Sequence, residues 1–164
     1  MFDLFNGLPV HPLVVHAVVV LLPLACLGGV AIVVRASWRE RYGALVVACA
    51  AVSTVLLPVS TSSGEELERR VGDPGDHAEL GDTLIWFAIP LLVLCAALVW
   101  MDRRRRAQES LTHRAAGDQA PRSSILFRTV AVLVLVAAVA TAVQTYRVGD
   151  SGARAAWGDQ VSSS

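Results

Sequence analysis

The chain has 164 residues, 54% of them hydrophobic and 17% charged, and its fourteen basic and fourteen acidic side chains cancel to a net charge of zero. A mean hydropathy of +0.55 excludes a small soluble domain and places the chain in the membrane class, as one compact unit. Every basic residue is Arg, and where the arginines fall matters more than their sum.

The first charged residue is Asp3, and no Arg occurs before Arg35. The basic start of a signal peptide is therefore missing, and the first apolar segment reads as a retained helix. Leu24-Ala25-Cys26 has the look of a lipoprotein cleavage box, but the apolar run continues to Val34 and argues against cleavage there.

Four apolar runs follow in order: Val10 to Val34, Tyr42 to Ser60, Thr83 to Met101 and Ile125 to Val143. Each is close to the ~20 residues that span a hydrocarbon core. In lipid each must be helical, because no water is present to satisfy its backbone amides and carbonyls. The expected fold is an all-α, integral membrane four-helix bundle forming a single domain. Its helices run over about 10–34, 42–60, 76–101 and 125–146, with a polar connection over 102–124.

Pro23, Pro58 and Pro90 fall inside three of these runs and read as kinks rather than ends. Ala44, Ala48 and Ala51, and later Ala131, Ala138 and Ala142, recur at helical spacing and are expected to form close-packing faces. Cys26, Cys49 and Cys95 each lie within an apolar run. Odd in number, they read as small buried hydrophobes rather than a disulfide framework.

Ten arginines (35, 39, 41, 103 to 106, 114, 122 and 128) flank the first and third connections; only 69, 70, 147 and 154 lie at the other ends. Arg-rich short loops stay in the cytoplasm, so both termini and the segment from Thr61 to Asp82 are expected outside a bacterial plasma membrane. The run Arg103 to Arg106 abuts a helix end and reads as an anchor for topology and anionic lipid, not as a nucleic-acid site.

His11, His16 and His77 fall at the outer ends of the first and third helices, while His113 lies in the cytoplasmic connection. Ser53, Thr54, Thr83, Thr141 and Gln144 share the outer halves with His16, and the inner halves offer little beyond cysteines. This skew predicts a polar pocket opening outward. On one ideal helix the five-residue step from His11 to His16 turns through about 500°, leaving the imidazoles about 140° apart and about 7.5 Å apart in height. Pro12 suits a first helical turn, which leaves His11 free to turn toward the pocket. His16 lies deeper, where an ionisable group is either functional or hydrogen-bonded to a neighbouring helix.

Asp73-Pro74 with Asp76 resembles a helix cap and first turn, so His77 is expected to open the third helix. Glu65, Glu66, Glu68 and Glu79 surround it as a solvated acidic segment or as carboxylates able to ligate a metal or orient His77. Arg70-Val71-Gly72-Asp73 recurs as Arg147-Val148-Gly149-Asp150, a short echo beyond the outer ends of the second and fourth helices. Gly149-Asp150-Ser151-Gly152 matches a serine-protease string without that fold around it and is read as coincidence.

His-Pro-x-x-Val-His at His11 to His16, Gly64-Glu65 after the second run, His77 with Gly81, and the glycines after the fourth run together resemble domain-of-unknown-function family 2231 of bacterial membrane proteins. The resemblance extends from Gly7 to about Trp157. Ala17-Val18 stands where members commonly carry Phe-Pro, and Gly149 and Gly152 match the usual closing glycines only in part. No established activity follows from the resemblance. It implies an electron-transfer setting, since some relatives are joined to Rieske-type iron–sulfur domains. The Ala-, Val- and Arg-rich, Lys-free composition looks like that of a GC-rich actinobacterial genome.

Two functions stay open. In the first, haem b is held between His16 and His77, with its propionates met by Arg70 or Arg147, or else copper or zinc is bound among His11, His16 and His77 with Glu65 or Glu79. A membrane or extracytoplasmic redox protein would be the partner. In the second, the chain is a non-catalytic accessory protein whose histidines are structural and whose outer loop and tail, with Trp157, dock a partner. No nucleophile–base pair, phosphate-binding loop or charged transport pathway marks an enzyme or pump.

Overall fold

The computed structural model describes residues 4–5, 8–71, 76–112 and 123–161, with side chains for 13–65, 77–109 and 125–155. Leu4–Phe5 (β1) and Leu8–Pro9 (β2) pair antiparallel in a minimal hairpin, and the other described elements are helices. These are α1 (Val10–Val34), α2 (Ala36–Val71), α3 (Asp76–Thr83), α4 (Ile85–Thr112) and α5 (Ser123–Val161). Among the described residues four stretches are long and apolar enough to cross a membrane: Leu13–Val34, Ala36–Glu65, His77–Glu109 and Ile125–Ala155.

The helices form a ring in the order α1, α2, α4, α5, with α5 closing back on α1. Gly28 of α1 faces Val46 of α2, Gly43 of α2 faces Val99 of α4, and Thr141 of α5 meets Phe87 of α4. Those pairings make each of these neighbours antiparallel, an up-down bundle with short connections. The tightest connection is Arg35 alone: its N–H bonds to Ala31 in α1, and its carbonyl accepts the first bonds of α2 from Trp38 and Arg39.

Lipid is as apolar as leucine and gives these helices no hydrophobic reason to associate, so contact must come from close packing and polar ties. The glycines supply the close packing. A Cβ on Gly28 would lie 2.7 Å from a Val46 methyl, and one on Gly43 2.8 Å from a Val99 methyl. Gly29 meets Cys95 and Val134 at the centre of the ring, among Leu22, Ile32, Leu91, Leu98 and Ala138.

The expected alanine face of α2 is not the packing face. Ala44 and Ala48 are exposed, and the stripe Gly43, Val46, Ala50, Ser53, Leu57 turns inward. On α5, Ala138 is buried and Ala131 half-buried, but Ala142 points outward and Thr141 takes its place. Alanine at helical spacing does not say which side of a helix finds a neighbour; the glycine contacts decide it. Cys26, Cys49 and Cys95 are buried free thiols, as expected of small core residues.

The helices also outrun their apolar segments. At 1.5 Å per residue α2 and α5 reach about 54 and 58 Å, against a hydrocarbon core of about 30 Å. The region after Ser60 therefore continues as helix to Val71, Arg103 to Arg106 ride on α4, and the fourth helix extends to Val161. Of the expected connection over 102–124, residues 113–122 lie outside the described residues.

Candidate functional site

At the histidine end, a break separates α3 from α4. Leu84 donates to Gly81 in a tightened turn, and its carbonyl starts α4 by accepting from Phe87 and Ala88. The break brings two side chains of the third span to α5. Thr83 donates to Leu80 within its own helix at 2.8 Å and accepts from the Gln144 amide at 2.7 Å. Arg147 donates to the Gln144 carbonyl oxygen at 3.3 Å, so one chain of donors runs from a cation on α5 to a helix end on α3. One turn deeper, the fully buried Thr141 hydroxyl lies 2.7 Å from its own helix carbonyl at Ala137 and 3.1 Å from Phe87 on α4. Pro90, with no N–H for the carbonyl of Trp86, loosens that same turn of α4.

His77, the second residue of α3, opens the third span as expected. Its Nδ1 lies 3.1 Å from the Val148 carbonyl and 3.3 Å from the Ser151 hydroxyl, both on α5. A carbonyl only accepts, so the contact with Val148 is a hydrogen bond in the tautomer with the proton on Nδ1, which puts the neutral ring's lone pair on Nε2; the Ser151 hydroxyl donates to the same carbonyl at 2.9 Å. Gly152 permits the approach: a Cβ there would stand 2.9 Å from the ring's Cε1.

The other expected ligands whose side chains are described sit on α1, α2 and α3. His16 is on the exposed side of α1, opposite the face that carries Val18 and Leu22, and α3 packs on α5 and α2. Glu65 on α2 and Glu79 on α3 are exposed. Arg147 lies next to the Val148 that His77 binds, so those two candidates do share a locality. The side chains of His11 and Arg70, and Gly72 to Gly75 entire, lie outside the described residues. Among the described residues no three His, Cys, Asp or Glu side chains are grouped to hold a metal ion. The second copy of the Arg-Val-Gly-Asp echo is not a loop but mid-helix in α5, while the first closes α2 at Val71.

The arginine-rich end, expected to offer little polar structure, holds the most connected ion pairs among the described residues. Arg39 is only 8% exposed; its Nε donates to Asp102 at 2.9 Å and a terminal nitrogen to the Ile32 carbonyl of α1 at 2.9 Å. Its guanidinium also lies over the Phe127 ring of α5, 4.7 Å from the centroid. Asp102 uses its other oxygen on Arg106 at 3.0 Å, and Arg106 reaches Glu40 and the Ala36 carbonyl. One carboxylate between two guanidiniums thus ties α1, α2, α4 and α5. The sequence signal was available: Asp102 is the lone acid between an apolar run and four arginines, opposite the Arg39 cluster.

A family model described as "Predicted membrane protein (DUF2231)" matches residues 7–164, nearly the whole chain. No curated protein and no solved structure matches it.

Proposed function

The chain belongs to the DUF2231 family of membrane proteins, and on that premise we propose that it is a non-catalytic accessory protein of the bacterial plasma membrane, its termini and histidine end on the outer face. The observation that carries this reading is the engagement of His77: Nδ1–H donates to the Val148 carbonyl, with the ring seated on Gly152. That geometry is a tie between α3 and α5. The extensions of α2 and α5, with α3 packed between them, then form a helical platform beyond the bilayer on which a partner docks. The arginine asymmetry supports the orientation.

The test is the stability of His77 variants in detergent. His77→Ala should lower the unfolding temperature, and His77→Asn, whose amide can still donate to Val148, should restore part of the loss. Equal stability of wild type and His77→Ala would contradict a structural tie.

One feature also favours the cofactor reading. A ligating histidine commonly donates its second ring N–H to a carbonyl, leaving the other nitrogen for the metal, and His77 has that arrangement with Nε2 as the ligating atom. On this second reading haem b or a transition metal binds at His77, near Arg147, and electrons pass to an extracytoplasmic redox partner. A Soret band or stoichiometric metal lost in His77→Ala is its signature.

A further inference from the structure

On the lipid-facing side of the ring, α1 and α2 leave a groove of about 360 Å³ lined by Leu24, Gly28, Ala31, Trp38, Tyr42 and Leu45, among others. Its lining is almost wholly apolar, and from Trp38 to Cys49 it rises through eleven residues of helix, about 16 Å. That is the depth of one leaflet of a core about 30 Å thick. At the arginine-rich mouth, Trp38 and Tyr42 meet edge to face at 6.5 Å, Arg35 lies over Trp38 at 5.2 Å and Arg41 over Tyr42 at 5.5 Å. Both arginines are exposed. Arg39 and Arg106 are spent on Asp102 and Glu40, whereas no ion pair among the described residues engages Arg35 or Arg41.

We infer that this groove is a specific site for one anionic phospholipid, an acyl chain lying along Gly28 and Ala31 and the headgroup phosphate meeting Arg35 and Arg41. An aliphatic chain fits where a ring or a polar ligand does not, because the groove is long, open on one side and offers few polar partners. The phosphate fits the mouth because guanidinium donors match its oxygens and the aromatic faces hold both guanidiniums in place. Basic pockets between membrane helices at the Arg-rich boundary recognise anionic headgroups in this way.

The experiment is native mass spectrometry of the delipidated full chain in detergent, titrated with dioleoyl-phosphatidylglycerol or dioleoyl-phosphatidylcholine. The expected result is one retained phosphatidylglycerol per chain, with phosphatidylcholine held more weakly. Arg35→Gln with Arg41→Gln should weaken phosphatidylglycerol about 25-fold, at about fivefold per arginine, and leave phosphatidylcholine unchanged. Arg104→Gln is the control, since Arg104 also lies over an aromatic ring, Trp100 at 3.9 Å, but that ring does not line the groove, whereas Trp38 and Tyr42, beneath Arg35 and Arg41, do; it should change little. Ala31→Phe, which fills the groove, should abolish retention of both lipids, and if it does not fold the arginine variants decide alone. Equal binding of the two lipids, equal effects of the three arginines, or a stable dimer sealed along the groove without lipid would overturn the proposal.

Discussion

Removing the carboxylate of Asp102 should be the most damaging single change at the arginine-rich end, and more damaging than removing its partner Arg39. Asp102→Ala leaves Arg39, 8% exposed, with its charge uncompensated and only the Ile32 carbonyl and the Phe127 face as partners. Loss of one member of a buried pair costs about 3–5 kcal/mol. Arg39→Met leaves Asp102 still bonded to Arg106 at 3.0 Å and should cost about 1.5–3 kcal/mol, the worth of hydrogen bonds to a charged group. The double variant Arg39→Met with Asp102→Leu removes both charges, and Arg106 retains Glu40. It should recover to within about 1–2 kcal/mol of wild type, because a buried pair often does no better than apolar groups of similar volume. Unfolding by sodium dodecyl sulfate in mixed micelles, run as a double-mutant cycle, measures all three. If Asp102→Ala loses under about 1 kcal/mol, or if the two single losses simply add, the cluster does not hold the bundle as described.

Other consequences test separate parts of the bundle. Gly43→Val adds bulk where even a Cβ would stand 2.8 Å from Val99; it should cost about 1–3 kcal/mol and, by thermal unfolding in detergent, exceed the loss from Ala44→Val on the exposed side. Thr141→Val removes the donor to Phe87 and should cost about 0.6 kcal/mol and not more than about 1.7, read in the same assay. Single cysteines at Ser62 and Ser151, in a background lacking the native cysteines, should be labelled by an impermeant maleimide in intact cells, and one at Gln108 should not. The reverse pattern overturns the orientation.

Much of the fold was legible because lipid imposes few solutions. Runs of about 20 apolar residues can only be helices there, and α1 begins and ends where the run Val10 to Val34 does. The histidine-end extensions were legible only in part, since Glu65 to Val71 and Arg147 to Val161 are polar enough to read as loop yet continue helices already nucleated within the apolar spans. The packing face of α2 was misplaced because Ala and Gly are both small, but between the spans Gly28 and Gly43 allow contact closer than a Cβ permits.

The site was legible as residue types and not as partnerships. Thr83, Thr141 and Gln144 were grouped correctly at one end, because polar side chains in an apolar helix must find donors and acceptors. His77 was placed at a helix start, but its bond to Val148 is to a backbone carbonyl, an atom every residue carries and no pattern singles out. His16 shares an end with His77 in sequence; helix phase, fixed by the core positions Val18 and Leu22, puts it on the exposed side of α1. The Arg39–Asp102–Arg106 cluster went unread because topology explains arginines at a helix end without calling for a partner.

The most direct test is what the wild-type protein carries when purified in mild detergent from cells supplied with haem precursors, iron, copper and zinc. An imidazole that ties α3 to α5 and binds nothing predicts a visible spectrum with no Soret band and well under a tenth of a metal atom per chain. A haem or metal ion approaching one per chain, and missing from His77→Asn that is folded, would contradict that account.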